Sequence, residues 1–108
     1  MDRTARIREL NDAFRKSFSG GKVMLTSGVD SLADIAKQAL LAKVRTFDGF
    51  NADNDPHGEH DCASLHVAGH DVIWKVDYYD RALSMHSPDP ADPKITRRVL
   101  TIMLAEEY

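Results

Sequence analysis

Cys62-Ala63-Ser64-Leu65-His66-Val67-Ala68-Gly69-His70-Asp71-Val72-Ile73-Trp74-Lys75-Val76-Asp77-Tyr78-Tyr79 is the stretch that decides the fold. Val72, Trp74, Val76 and Tyr78 alternate with Asp71, Ile73, Lys75 and Asp77, the period-two pattern of a half-buried strand. Ala63, Leu65 and Val67 alternate in the same way with Cys62, Ser64 and His66. A tight turn at Gly69-His70 predicts an antiparallel hairpin, since glycine suits the first central position of a II′ turn. That register sets Leu65 opposite Trp74 and Val67 opposite Val72. On the other face it sets His66 opposite Ile73 and Cys62 opposite Asp77.

Helical periodicity lies on both sides of the hairpin. Ile7, Leu10, Phe14 and Phe18 make one apolar stripe over residues 2–18, and Ser19-Gly20-Gly21 ends it. Lys22–Thr26 is a short apolar run, read as a buried strand. A second helix is predicted over 31–44, with Ser31 as N-cap, Asp34 in a capping-box position, and Leu32, Ile35, Ala36, Ala39, Leu40 and Val44 facing inward. Residues 45–50 then read as the opening strand of a sheet. Pro88, Pro90 and Pro93 forbid regular structure in the next connector. Asp92 and Pro93 look like the start of a last helix over 94–107, with Ile95, Val99, Ile102 and Met103 on one side. The expected architecture is α+β: two N-terminal helices, a small antiparallel sheet around 62–79, and a C-terminal helix packed on the sheet.

The 108 residues suffice for one modest core, so residues 1–108 read as a single domain. A lone cysteine excludes an internal disulfide and fits a reducing compartment. No apolar run reaches the roughly 20 residues of a membrane span. The N-terminus is amphipathic, unlike a secretory signal. A cytoplasmic protein with no membrane association is expected.

The net charge of −3 hides a division: residues 47–80 carry eight acids against one lysine. Much of that charge sits in Asp53-Asn54-Asp55-Pro56-His57-Gly58-Glu59-His60-Asp61, too polar for core and too punctuated for helix. Three chemistries compete for this region. Asp53-x-Asp55-x-His57-Gly58 has the spacing of an EF-hand start, but histidine takes the fifth position and Ser64 the twelfth, where a bidentate glutamate belongs. The plain alternative is an Asx/Pro/Gly turn. A zinc site would draw on His57, His60, His66 and His70 with Cys62, but one cysteine without a CxxC pair matches no standard zinc spacing. Cys62 with His60 or His66 would be a nucleophile pair, yet nothing marks an oxyanion hole, and a half-buried apolar cysteine is commoner. Any metal would fall to Asp53, Asp55, His57 and His60; none is expected, and no cofactor. Arg3, Arg6, Arg8, Arg15 and Lys16 go round their helix and form no basic stripe, so direct nucleic-acid binding is not expected. Gly20-Gly21-Lys22 lacks P-loop spacing. Trp74, Tyr78 and Tyr79 are interface-type residues; the plain alternative places Trp74 and Tyr78 in the core, the better reading for Trp74, and leaves Tyr79 on the surface.

Leu10-Asn11-Asp12-x-Phe14-Arg15, Gly20-Gly21-Lys22-Val23-Met24-Leu25-Thr26, the 53–61 run, Trp74-Lys75-Val76-Asp77-Tyr78-Tyr79-Asp80 and Val99–Ala105 together resemble a small bacterial family. That family is known only as a domain of unknown function, found mainly in alphaproteobacteria and often on plasmids and prophages. The resemblance implies a cytoplasmic accessory protein of mobile DNA and carries over no catalytic residue. An aromatic is usual in the family at positions 57 and 62, so His57 and Cys62 depart from it, which weakens any chemistry resting on them.

The reading favoured by the sequence is a non-enzymatic mobile-element protein. It would bind a basic protein partner through an acidic surface of Asp53, Asp55, Glu59, Asp61, Asp77 and Asp80, with Tyr79 as anchor. A host nucleic-acid-processing complex is the partner class, blocked in the manner of an anti-CRISPR or anti-restriction protein: clustered carboxylates compete for Lys/Arg sites that normally hold phosphates. The alternative is a divalent-metal-binding protein or small hydrolase using the 53–61 loop. A homodimer joined at a sheet edge is the third option.

Overall fold

A computed structural model describes all 108 residues. Helix α1 (Arg3–Ser17) opens where the Asp2 carboxylate accepts the Ala5 amide at 2.7 Å, the N-cap bond an aspartate is suited to make. It ends at Ser17, one residue short of the predicted end, because Phe18 itself takes the left-handed conformation at φ 57°. Strand β1 (Lys22–Leu25) follows, then a single-turn helix α2 (Ser27–Asp30) and α3 (Asp34–Thr46). The second predicted helix is thus shifted. Ser31 is no N-cap; it closes α2, with its hydroxyl on the Ser27 carbonyl at 2.6 Å. Residues 45–50 contribute no strand. Phe47 and Phe50 instead pack edge-on against each other and against Trp74, at 4.9, 6.0 and 6.1 Å.

Strands β2 (Cys62–Val67) and β3 (His70–Tyr79) form the predicted hairpin, two residues out of the predicted register. Ala63 faces Trp74, Leu65 faces Val72, and Cys62 faces Lys75. The turn residues are Ala68 and Gly69, at φ 53° and 82°, so the turn is of the I′ kind, which needs positive φ at both central positions. A two-residue slip keeps every side chain on its predicted face, and Trp74, Val72, Val76 and Tyr78 are all buried. Alanine in the left-handed region costs about 1–2 kcal/mol, whereas asparagine tolerates it. Ala68→Asn is therefore expected to raise stability by about 1 kcal/mol, read as a melting temperature several degrees higher.

The main correction lies at the C-terminal end. Residues 97–104 are not helical: Arg97–Leu104 is strand β4, followed by a short 3₁₀ turn at Ala105–Glu107. The sheet order is β1-β4-β3-β2, so β4 is central, parallel to β1 and antiparallel to β3. The sheet is mixed, not the small antiparallel one predicted. Arg98, Leu100, Ile102 and Leu104 point inward, each opposite an inward residue of β3. The 3₁₀ turn ties back to α2 through Glu107, whose carboxylate accepts from the Thr26 hydroxyl (2.6 Å) and the Leu104 and Gly28 amides. These bonds, that from Thr26 first, hold its pKa below the ordinary carboxylate range.

One core joins α1 and α3 to a single face of the sheet: Ile7, Phe14, Leu40 and Val44 meet Val72, Trp74, Val76, Leu100 and Ile102. The opposite face, bearing Ile73, Lys75, Asp77 and Tyr79 of β3 and Arg97, Val99, Thr101 and the buried Met103 of β4, carries neither α1 nor α3. No helix is long and apolar enough to cross a membrane.

Candidate partner-binding face

The acidic loop is built from its own side chains. The Asn51 side-chain carbonyl accepts the Asp53 and Asn54 amides at 2.9 and 3.0 Å, and that of Asn54 accepts the Asn51 amide at 2.8 Å. Asp55 accepts the His60 amide at 3.1 Å, and its side chain is only 6% exposed. Gly58 and His60 take positive φ, 70° and 53°, which turns the chain back toward α1. There Arg8 donates to the Gly58 carbonyl at 2.8 Å.

Beneath the loop lies a polar cluster that draws together most of the motifs noted in the sequence. The His60 ring stacks on Phe50 at 3.7 Å, and its Nδ1 lies 2.9 and 3.1 Å from the Asp12 oxygens. Asn11, fully buried, donates to the Glu59 carbonyl (3.0 Å) and to the Tyr78 hydroxyl (2.8 Å). It accepts from Arg98 Nε at 2.7 Å. The Tyr78 hydroxyl donates to Glu59 Oε1 at 2.8 Å, and desolvation pushes its pKa far above the usual phenol value. Arg15 donates to the Val44 and Arg45 carbonyls and to Asp12, while its guanidinium lies 5.0 Å over Trp74. Burial lowers the pKa of both Arg15 and Arg98. Arg15 Nε and Trp74 Nε1 are buried without an acceptor, a cost set against the cation–π contact between the two side chains.

The seven residues predicted for contact are therefore divided. Asp53 is exposed at the loop tip, whereas Asp55 turns inward and Glu59 serves Tyr78. Asp77 lies 3.2 Å from Lys75 on the open sheet face. Tyr79 is half-buried on that face opposite Arg97. Asp80 accepts the Ser84 amide at 3.0 Å, the main reason its pKa is lowered, and so fixes the turn that follows β3. Asp61 and Asp77 share a groove of about 510 Å³ with Cys62, Ile73, Lys75 and Tyr108. Burial raises the pKa of Asp61, with nearby Glu59 and Asp55 adding to it. The Asp61 carboxylate forms no ion pair, and only its own backbone amide and the more distant His57 oppose the rise.

No three His, Cys, Asp or Glu side chains converge in an arrangement that could hold a metal ion, so Asp53, Asp55, His57 and His60 do not make a centre. Cys62 is exposed, and partial desolvation together with the nearby Asp61 and Asp55 raises its thiol, away from the thiolate a nucleophile needs. His66 is bonded to Asp71 at 2.8 Å and His60 to Asp12, so each imidazole already has a carboxylate partner. Sequence reasoning missed Arg98 and Tyr108 altogether, and Asn11 and Arg15 as buried groups. A signal was present for the last two: they fall on the apolar stripe with Ile7, Phe14 and Phe18.

The geometry is that of a braced loop beside a sheet face that carries neither α1 nor α3. The chain belongs to the family described as protein of unknown function DUF3768, whose model matches residues 25–107. Neither the curated proteins nor the solved structures include a match to it.

Proposed function

We propose that this chain is a non-enzymatic binding protein that docks a basic protein partner on the open face of its sheet, beside the acidic loop. The observation that carries this reading is Asp61: a carboxylate lining the groove beside Asp77, half-buried and raised in pKa by that burial, that forms no ion pair within its own chain. A partner's lysine or arginine supplies what it lacks, and the pairing relieves a desolvation cost already present in the free protein. Asp53, Asp77 and Asp80 spread negative charge around it, which speeds encounter with a basic surface. Tyr79 adds aromatic area. Asp55 and Glu59 serve the same function indirectly, by holding the loop in shape.

The setting inferred from the family resemblance is mobile DNA. The partner class is a host nucleic-acid-processing protein, whose phosphate-holding Lys/Arg sites the carboxylates would occupy. The test starts with a pull-down from the host, identification of the retained protein, and calorimetric titration of that purified partner. With Asp53, Asp61, Asp77 and Asp80 all changed to asparagine, affinity should fall by about tenfold or more, since exposed pairs contribute roughly 0.2–1 kcal/mol each. Binding should also weaken as pH falls and Asp61 takes up a proton, because only its charged form attracts a cation. A quadruple variant that binds as the wild type does, or a partner with no basic surface, would sink the reading.

A further inference from the structure

The geometry points to a second copy of this chain pairing antiparallel with the free edge of β2, across a two-fold axis at Leu65, to give a closed dimer with one continuous eight-stranded sheet. The two edges of the sheet are unlike. β1 is four residues long and begins with Lys22, two of the devices by which native edges resist pairing. β2 has six residues in unbroken register with β3, and Cys62-Ala63-Ser64-Leu65-His66-Val67 contains no Lys, Arg, Asp, Glu or Pro. It has no bulge, and no hydrogen bond reaches its backbone from anything but β3. Such an edge leaves a row of amide and carbonyl groups ready to template another strand.

Leu65 selects the occupant and the register. On the helix-side face of β2, Ala63 and Val67 are buried at 7% exposure, but Leu65 between them is not. An axis at Leu65 sets it against the Leu65 of the second copy, and sets Ala63 against Val67 in both directions. Ser64 then meets His66 on the open face. The strand holds no Lys, Arg, Asp or Glu, and the register keeps the two His66 side chains from facing each other, so self-pairing sets no like charges directly opposite. The two-fold leaves the helices of both copies on one side and a short β1 at each end, so growth stops at two copies and no fibre follows. The groove of Asp61 and Asp77 is lined in part by Cys62, Ala63 and Ser64, so pairing would set the second copy's Ala68-Gly69 turn beside Cys62 as a further wall.

Size-exclusion chromatography with light scattering tests this from low micromolar to sub-millimolar concentration. The expected mass is twice the 12.1 kDa of one chain, falling toward one chain on dilution. Leu65→Lys should weaken the dimer by about tenfold or more, because it sets two ammonium groups face to face. Met24→Lys on the β1 edge should leave it unchanged. If Leu65→Lys does not fold, Leu65→Cys in a Cys62→Ser background gives the answer: opposed strand residues are near enough for a disulfide, so oxidation should link two copies. A wild type that stays monomeric, a dimer indifferent to Leu65→Lys, or no crosslink would each overturn the proposal.

Discussion

Asn11→Ala should cost about 3 kcal/mol of folding stability, a drop in melting temperature of more than 10 °C. The side chain is fully buried and makes three hydrogen bonds to three separate parts of the chain: Glu59 in the loop, Tyr78 in β3 and Arg98 in β4. Alanine leaves the Arg98 Nε–H and the Glu59 carbonyl without a partner where water does not reach, and each such orphan costs about 1–3 kcal/mol, more for a charged group. Tyr78 keeps its bond to Glu59, which limits the damage. Urea unfolding with an unchanged slope is the measurement. A loss under about 1 kcal/mol would mean that water replaces the amide.

Arg15→Met should be of similar size, about 3–5 kcal/mol, by a different route. Arg15 is 1% exposed and donates to two carbonyls of the last turn of α3, Val44 and Arg45, where a helix end carries partial negative charge and Val44 otherwise has only a long bond from the Phe47 amide. It also holds Asp12, which holds His60 and through it the loop. Methionine restores volume but none of these bonds. Lysine should not rescue, since it lacks the planar fork that reaches two carbonyls and Asp12 while lying over Trp74. Hydrogen exchange in Arg15→Met should quicken at the C-terminal end of α3 and in residues 47–61 more than in the β2–β3 hairpin. Equal loss everywhere would deny Arg15 its role in bracing the loop.

The parts of the fold legible in the sequence were those whose partners are near. The α1 stripe and the β2–β3 alternation are local patterns, and both stand. β4 was misread because Arg97-Arg98-Val99-Leu100-Thr101-Ile102-Met103-Leu104 does not alternate cleanly. A charged Arg98 points inward, while Val99 lies on the other face. Once Arg98 is counted as an outward residue, the remaining apolar positions fit a helix as well as a strand. What makes Arg98 an inward residue is Asn11, 87 positions away. The acidic loop failed to read for the same reason. Its carboxylates looked free because Asn11, Asp12 and Tyr78, which hold the loop down, come from other elements. Of the loop's acids, Asp53 and Asp61 are those whose sequence reading as contact residues still motivates a proposal.

The central position of β4 also bears on how the protein is made. Every other strand leaves the ribosome before residues 97–104, yet β1 and β3 meet only through β4. The emerging chain therefore carries a hairpin with Val72, Trp74 and Val76 on one face and an unclaimed edge on β3. The parallel β1–β4 pairing must close a loop of more than seventy residues, a slow kind of contact that leaves partly built sheets exposed to aggregation. Synthesis thus passes through a vulnerable interval that ends only when its last strand is threaded between the other two.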